Sequence, residues 1–491
     1  MQNIDKTVAK ATKWSIITEV AAKLISPVVN MILARLLLPE AFGAVATITM
    51  IISFAEIFTD AGFQKYIVQH EFQDTEDFEQ SVNVAFWSNF SMSSVFVAVI
   101  WLFRNHIAEL VGSPELSMGI AVASFSIICV AFSSIQMAVY RRNFQFKTLF
   151  YVRIVTSLIP LVITVPLAAI ARNYWALVIG TLCMNCVQAV ILTVKSQWKP
   201  KLYYSLDKLK EMFSFTAWTL LETIAIWLTS YIGTFIVGRG LNDYYLGIYK
   251  TSMTTVNAYM GIITSGVTPV LFAALSRYQN DDVRFKETYY NFQKMVAIFL
   301  IPMGIGLYLY RDLAVILLLG KKWAEAADFV GLWALTSAIS IVFSYFTSEV
   351  YRSKGKPKIS LLSQLLHLAF LVPIITISLK YGFKALYTAR SLVRFQMIIT
   401  AMIIADAIFK IKIKESVKNV FPQIISGLLM GITALLIKDL LSGMLWQFAS
   451  VAICIVVYFA VLMMFPAMRE TVLEINIVKK LLNKFRRCHD T

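Results

Sequence analysis

Charged side chains are scarce in this chain: Asp, Glu, Lys and Arg make up 15% of its 491 residues, against 58% hydrophobic. That balance excludes a soluble globular protein, whose core has no room for so much apolar side chain. Cysteine is scarce too. Cys129, Cys183, Cys186, Cys454 and Cys488 are too few, and too embedded in apolar sequence, for a disulfide framework. Cys183 and Cys186 have C-x-x-C spacing, but no partner histidines accompany them, and they read as small membrane-helix side chains. Long polar loops are missing, which excludes a soluble catalytic domain. No G-x-x-x-x-G-K-[ST] phosphate loop occurs, so the chain is not expected to power transport with an ATPase of its own. No cleavable leader is expected, because Glu19 and Lys23 interrupt the first apolar run and no small-residue cleavage site follows. Acidic residues are the minority charge, leaving a formal net charge of +16. A basic balance of this size can mark a nucleic-acid binder. Here the positive charge sits in short loops between apolar helices, the pattern that orients a membrane protein, and no nucleic-acid partner is expected.

What the chain does have is long hydrophobic runs. A bilayer-spanning helix needs about 20 mostly apolar residues. Fourteen such runs occur, at 13 to 37, 41 to 63, 81 to 103, 117 to 140, 147 to 171, 174 to 194, 213 to 238, 245 to 275, 288 to 310, 327 to 351, 359 to 379, 383 to 409, 420 to 437 and 443 to 466. They predict an all-α polytopic membrane protein. When alternate loops are assigned to the two sides, Lys and Arg concentrate on the side of both termini. The main contributors are Lys195, Lys199, Lys201, Lys208 and Lys210, the stretches 352–358 and 410–418, and the tail at 479–487. The termini are therefore expected in the cytoplasm. The loop 64–80 departs from this pattern with Glu71, Asp74, Glu76, Asp77 and Glu79 against Lys65, but acidic residues influence orientation little.

The chain also repeats itself. WSIITEVAAKLISPVVNMILARLLLPEAFG, beginning at Trp14, aligns without a gap on WTLLETIAIWLTSYIGTFIVGRGLNDYYLG, beginning at Trp218. Trp14 matches Trp218, Arg35 matches Arg239, Leu37 matches Leu241 and Gly43 matches Gly247, all at an offset of 204. Weak internal symmetry of this kind is common in transporters. With six helices in each copy, the halves share one orientation and form a parallel pseudo-repeat. The expected organisation is an N-lobe at 1–195, a linker at 196–212, a C-lobe at 213–409, two further helices at 410–466 and a basic tail at 467–491. Within the linker, YYSLDKLKEMF reads as a basic amphipathic stretch on the cytoplasmic leaflet.

Ionisable residues deep in a membrane helix cost about 2.5–3.5 kcal/mol each, so they face cavities or partners. Lys23 lies about 15 Å into the first helix with Glu19 one turn before it, which fits either a self-neutralising pair or a cavity role. Glu56 and Asp60 are also one turn apart; like charges there call for a shared proton or a nearby cation, although Asp60 is close enough to the helix end to reach water. Glu222 lies about 13 Å into the seventh helix. These four acids are the candidates for coupling to H+ or Na+; no other cofactor and no metal site is expected. Arg390 and Arg394 share one face about 10 and 17 Å into the twelfth helix, where a buried anion would relieve their repulsion. Arg153 and Lys250 are shallower and within snorkelling reach of the interface. Pro27, Pro160, Pro166, Pro269, Pro302 and Pro373 permit kinks, and Gly427 with Gly431 forms a G-x-x-x-G packing motif.

The stretch LARLLLPEAFGAVATITMIISFAEIFTDAGFQKYIVQ, residues 33–69, resembles the opening of Wzx-type oligosaccharide flippases, of the superfamily that also holds the MATE exporters and the lipid II flippase. The resemblance implies two six-helix lobes that open alternately to cytoplasm and periplasm across the bacterial inner membrane. It implies an undecaprenyl-diphosphate-linked oligosaccharide as substrate, for O-antigen, capsule or exopolysaccharide synthesis, alongside glycosyltransferases and a polysaccharide polymerase. Arg35, Pro39, Gly43 and Asp60 fall in the matching string and look architectural. Depth and charge, rather than a family motif, nominate Arg390, Arg394, Lys23, Arg153 and Lys250 for the diphosphate and sugars. The runner-up is a MATE-type exporter of organic cations, whose cavity should favour acids over arginines. A membrane polymerase or acyl transferase would need clustered His, Asp or Glu in its outer loops, and the sequence has no such cluster.

Overall fold

The computed structural model describes residues 25–60, 62–196, 198–466 and 468–469, with the backbone alone at 60, 214–219, 222 and 357. Among the described residues the regular structure is entirely helical. In chain order the helices are α1 (Ile25–Leu36), α2 (Pro39–Asp60), α3 (Phe63–Gln69), α4 (Thr75–Leu110), α5 (Ser117–Arg142), α6 (Phe146–Ile159), α7 (Val165–Ala171), α8 (Trp175–Lys195) and α9 (Leu206–Gly240). There follow α10 (Asp243–Arg277), α11 (Asp282–Leu309), α12 (Arg311–Leu318), α13 (Ala327–Ser340), α14 (Thr347–Ser353), α15 (Pro357–Leu379), α16 (Phe383–Phe409), α17 (Ile413–Ile437) and α18 (Met444–Met463). Among the described residues, 12 helical stretches are long and apolar enough to cross a bilayer. The other two runs read from the sequence fall on α1, described from Ile25, and on α9.

Local chemistry sets the helix ends. Asp74 caps α4 by accepting from the Asp77 amide, Asp281 caps α11 by accepting from the amides of Val283 and Arg284, and Ser205 caps α9 through the Lys208 amide. Residues 206–212, part of the stretch expected to join the halves, are thus the first turns of α9. Gly62 and Gly112 take positive φ of 80° and 85° where the chain must turn after α2 and α4. Pro160 has no amide hydrogen, and the helix absorbs the loss in a π turn, Pro160–Thr164, between α6 and α7. Pro269, Pro302 and Pro373 lie inside α10, α11 and α15.

The chain forms two compact units. Unit 1 comprises residues 1–262, 318–323 and 364–389; unit 2 comprises 263–317, 324–363 and 390–491. Lipid tails give apolar helices little reason to prefer one another, so close backbone approach and interhelical hydrogen bonds must hold each unit together. In unit 1, Asn89 of α4 donates to Ser134 of α5 at 2.8 Å and Gln136 of α5 donates to Thr193 of α8 at 2.8 Å. In unit 2 the G-x-x-x-G motif seats α17 on α11: a Cβ on Gly427 would lie 2.8 Å from Ile305 and 2.9 Å from Ile301.

The repeat has a physical counterpart inside unit 1. Pro39 and Asp243, also 204 positions apart, open α2 and α10. The two helices cross where Gly43 meets Gly247. A Cβ on Gly43 would overlap the Asp243 carbonyl, and a Cβ on Gly247 would overlap the Pro39 carbonyl.

Candidate functional site

Glu56 lies near the end of α2 and lines a cavity of about 250 Å³ inside unit 1. Thr49, Ser53, Ser126, Thr181 and Asn185 supply the polar part of its wall, with apolar side chains such as Val45, Ile52 and Val178 between them. Glu56 is the one ionisable group among the lining residues. Among the described residues, no side chain hydrogen-bonds to its carboxylate or pairs with it. A carboxylate facing hydroxyls and a carboxamide within spanning helices is chemically suited to take a proton or a small monovalent cation. Asp60 ends α2, and its side chain lies outside the described residues, as does that of Glu222 within α9; Glu19 and Lys23 lie wholly outside them. Among the described residues, no group of three or more His, Cys, Asp and Glu side chains is placed to hold a metal ion.

Lys250 on α10 sets its ammonium 4.2 Å from the centroid of the Tyr231 ring on α9, a cation–π contact, whereas Arg153 is exposed on α6. At the helix ends of unit 1 nearer residues 63–79, charges of the loop regions are tied together. Lys208 pairs with Asp77, Lys201 with Glu79 at 2.7 Å, and Glu211 accepts from Tyr66 at 2.9 Å and lies 3.3 Å from His70. The acidic loop that departs from the orientation pattern is therefore matched to the basic start of α9. Arg142 donates to the carbonyls of Ile67 at 2.9 Å and His70 at 2.7 Å, satisfying the end of α3, and stacks on Phe72 at 4.5 Å.

In unit 2 the structure brings Arg390 and Arg394 together on one aromatic ring. The guanidinium carbons lie 4.9 and 3.5 Å from the centroid of Trp333, which is fully buried on α13. Arg394 also donates to the Ser337 hydroxyl, one turn further along α13, at 2.6 Å. Elsewhere in unit 2, Asp406 pairs with Lys412 at 3.1 Å and Glu349 with Arg352 at 3.4 Å. Spacing alone found the two arginines. It did not find Trp333 and Ser337, whose one signal is a Trp and a Ser four positions apart in an apolar run. Asn185 was equally hidden beside the C-x-x-C pair, and Cys186 itself faces Cys129 across α5 and α8 with 2.9 Å between the sulfurs.

Buried charges within spanning helices, a polar cavity and an internal pseudo-repeat define a multi-pass membrane transporter. The chain belongs to the polysaccharide biosynthesis protein family, which it matches over residues 32–328. It is 26% identical over 345 residues to the succinoglycan biosynthesis transport protein ExoT of Rhizobium meliloti (strain 1021), covering 70% of this chain and 68% of that one. It is 22% identical over 325 residues to the lipopolysaccharide biosynthesis protein WzxC of Escherichia coli (strain K12), covering 65% and 64%. Its fold is similar to that of the lipid II flippase MurJ in an inward closed conformation, with a TM-score of 0.77, 15% identity, and coverage of 94% of this chain and 100% of that one.

Proposed function

We propose that the protein flips an undecaprenyl-diphosphate-linked oligosaccharide from the cytoplasmic to the periplasmic leaflet of a bacterial inner membrane, with both termini in the cytoplasm. The N-lobe at 1–195 and the C-lobe at 213–409 alternate in access. Family membership and relatives named for succinoglycan transport and lipopolysaccharide biosynthesis favour this substrate class over small organic cations. The observation that carries the reading is the Arg390–Arg394 pair on Trp333. Two guanidinium groups gathered on one indole present two planar forks close together, which suits bidentate pairing with the oxygens of a diphosphate. An anion bound beside the buried Arg390 and the half-buried Arg394 is attracted by both charges. Lys23, Arg153 and Lys250 are further cationic candidates for the diphosphate and sugars. Glu56 is the coupling group in this reading, because its cavity offers oxygen ligands to a proton or Na+.

The test is reconstitution of purified protein with a fluorescent undecaprenyl-diphosphate oligosaccharide, read as loss of accessibility in the donor leaflet. The parent should translocate it faster than protein-free vesicles do. The double variant Arg390→Gln/Arg394→Gln should remain folded yet lose both binding and transport. Full binding in that folded variant would move the diphosphate site elsewhere.

A further inference from the structure

We infer that Gln293 of α11 is a positioning residue for the arginine site: it holds the carbonyl that a π turn between α13 and α14 leaves over, and so fixes the rotation at which Trp333 and Ser337 meet Arg390 and Arg394. This rests on the reading of the two arginines as the diphosphate site and adds to it what sets their platform in place. After Ser340 the backbone widens into a π turn, Ile341–Tyr345, before α14 begins at Thr347. In a regular α-helix the Val342 carbonyl would take the amide of Phe346, four residues on; here that amide points to the Ser344 carbonyl. Gln293, 1% exposed and roughly 16 Å along α11, donates from Nε2 to the Val342 carbonyl at 3.3 Å. Inside a bilayer, bulk water is no substitute for such a partner.

The carboxamide is itself held in place. Its Oε1 accepts from Asn419 of α17 at 3.3 Å, and Asn419 also donates to the Tyr290 carbonyl, about one turn before Gln293 on α11, at 2.7 Å. Side chains of α11 and α17 thus converge on one peptide group of the π turn. A π turn takes up one more residue than an α turn, so relaxing it would rotate the chain after it by about 100° relative to the chain before it. Residues on both sides of the turn meet α16. Before it, Trp333 lies against Arg390 and Arg394, and Ser337 accepts from Arg394. After it, Tyr351 stacks on Phe409 with the ring centroids 5.5 Å apart. A regular α-helix could keep one of these contacts and would turn the other away. By holding the Val342 carbonyl, Gln293 keeps both, and it acts on the arginines through α13.

The test uses full-length protein labelled with fluorotryptophan, the fluorine NMR signal of Trp333 being assigned by its loss in Trp333→Phe. In Gln293→Leu that signal should move, and affinity for an undecaprenyl-diphosphate oligosaccharide should fall roughly tenfold. Combining Gln293→Leu with Arg394→Gln should weaken binding by less than the product of the two single effects, because a residue that acts through Arg394 has less to position once the guanidinium is gone. Arg142→Met, a destabilising change in unit 1, is the control: it should lower the melting temperature and leave the Trp333 signal and the affinity at parent values. A Trp333 signal unmoved in Gln293→Leu overturns the assignment, as do two single effects that multiply in full. The signal needs no lipid, so a wrong substrate would show as a parent that does not bind, with the positioning role still tested. If Gln293→Leu does not fold, Gln293→Asn, which keeps the carboxamide but draws it back by one carbon, is read in its place, and a parent-like Trp333 signal there overturns the assignment.

Discussion

The guanidinium carbon of Arg394 lies 3.5 Å from the centre of the Trp333 ring, and its Nη1 donates to Ser337 at 2.6 Å. One cation is thus held by two residues of a neighbouring helix, through a ring and a hydroxyl. Arg394→Lys should therefore be a partial substitute that keeps charge but loses fork and stacking, Arg394→Gln worse, and Arg394→Glu worst. A lost charge-assisted pair is worth about 1.5–3 kcal/mol, so binding of an undecaprenyl-diphosphate oligosaccharide to Arg394→Gln should weaken roughly tenfold to hundredfold. Titration with the purified lipid checks the order, and equal affinity across the series would remove Arg394 from the diphosphate site.

Trp333 contributes in the same site as a platform. Trp333→Leu keeps an apolar side chain but removes the ring under both arginines. The expected loss is about 2 kcal/mol of cation–π stabilisation if both contacts are desolvated, seen as weaker lipid binding with near-normal expression. Trp333→Phe should recover part of it.

Glu56→Gln leaves the cavity shape intact and removes the ionisable oxygen. If a proton or Na+ gradient acts through this carboxylate, the variant should still fold and bind lipid, but its transport should no longer respond to an imposed gradient. Proteoliposomes with and without the gradient make the measurement. Retained gradient dependence would transfer coupling to the other acids.

Topology is checked with single cysteines on exposed positions. Lys199→Cys and Lys414→Cys should be protected from an impermeant thiol reagent applied to the periplasmic face, and Tyr381→Cys, in the turn between α15 and α16, should be labelled. The reverse pattern would invert the orientation.

Arg142 offers a stability test away from the transport chemistry. Arg142→Met keeps a long apolar stem but orphans the carbonyls of Ile67 and His70 and removes the cation over Phe72. The expected cost is about 1.5–3 kcal/mol, read as lower thermal stability in detergent, with the α3 region becoming protease-sensitive first.

The sequence by itself determined the all-helical, multi-pass architecture and most of the helix positions, because a bilayer demands long apolar runs and internally satisfied backbones, and both are written locally. It also determined that Arg390 and Arg394 share one helix face, since helical spacing is a property of one segment. Tertiary structure alone decided what helix faces meet. Trp333 under the arginines and Asn185 beside the Glu56 cavity come from helices far away in the chain, and one apolar run gives no sign of which neighbour it will face when lipid and protein interiors are equally apolar. Gly43 and Gly247 show both halves of this. The constant offset marked them as equivalent, but equivalence does not say that two copies touch; that followed only when α2 and α10 crossed and the carbonyl of each filled the space the other's glycine leaves empty.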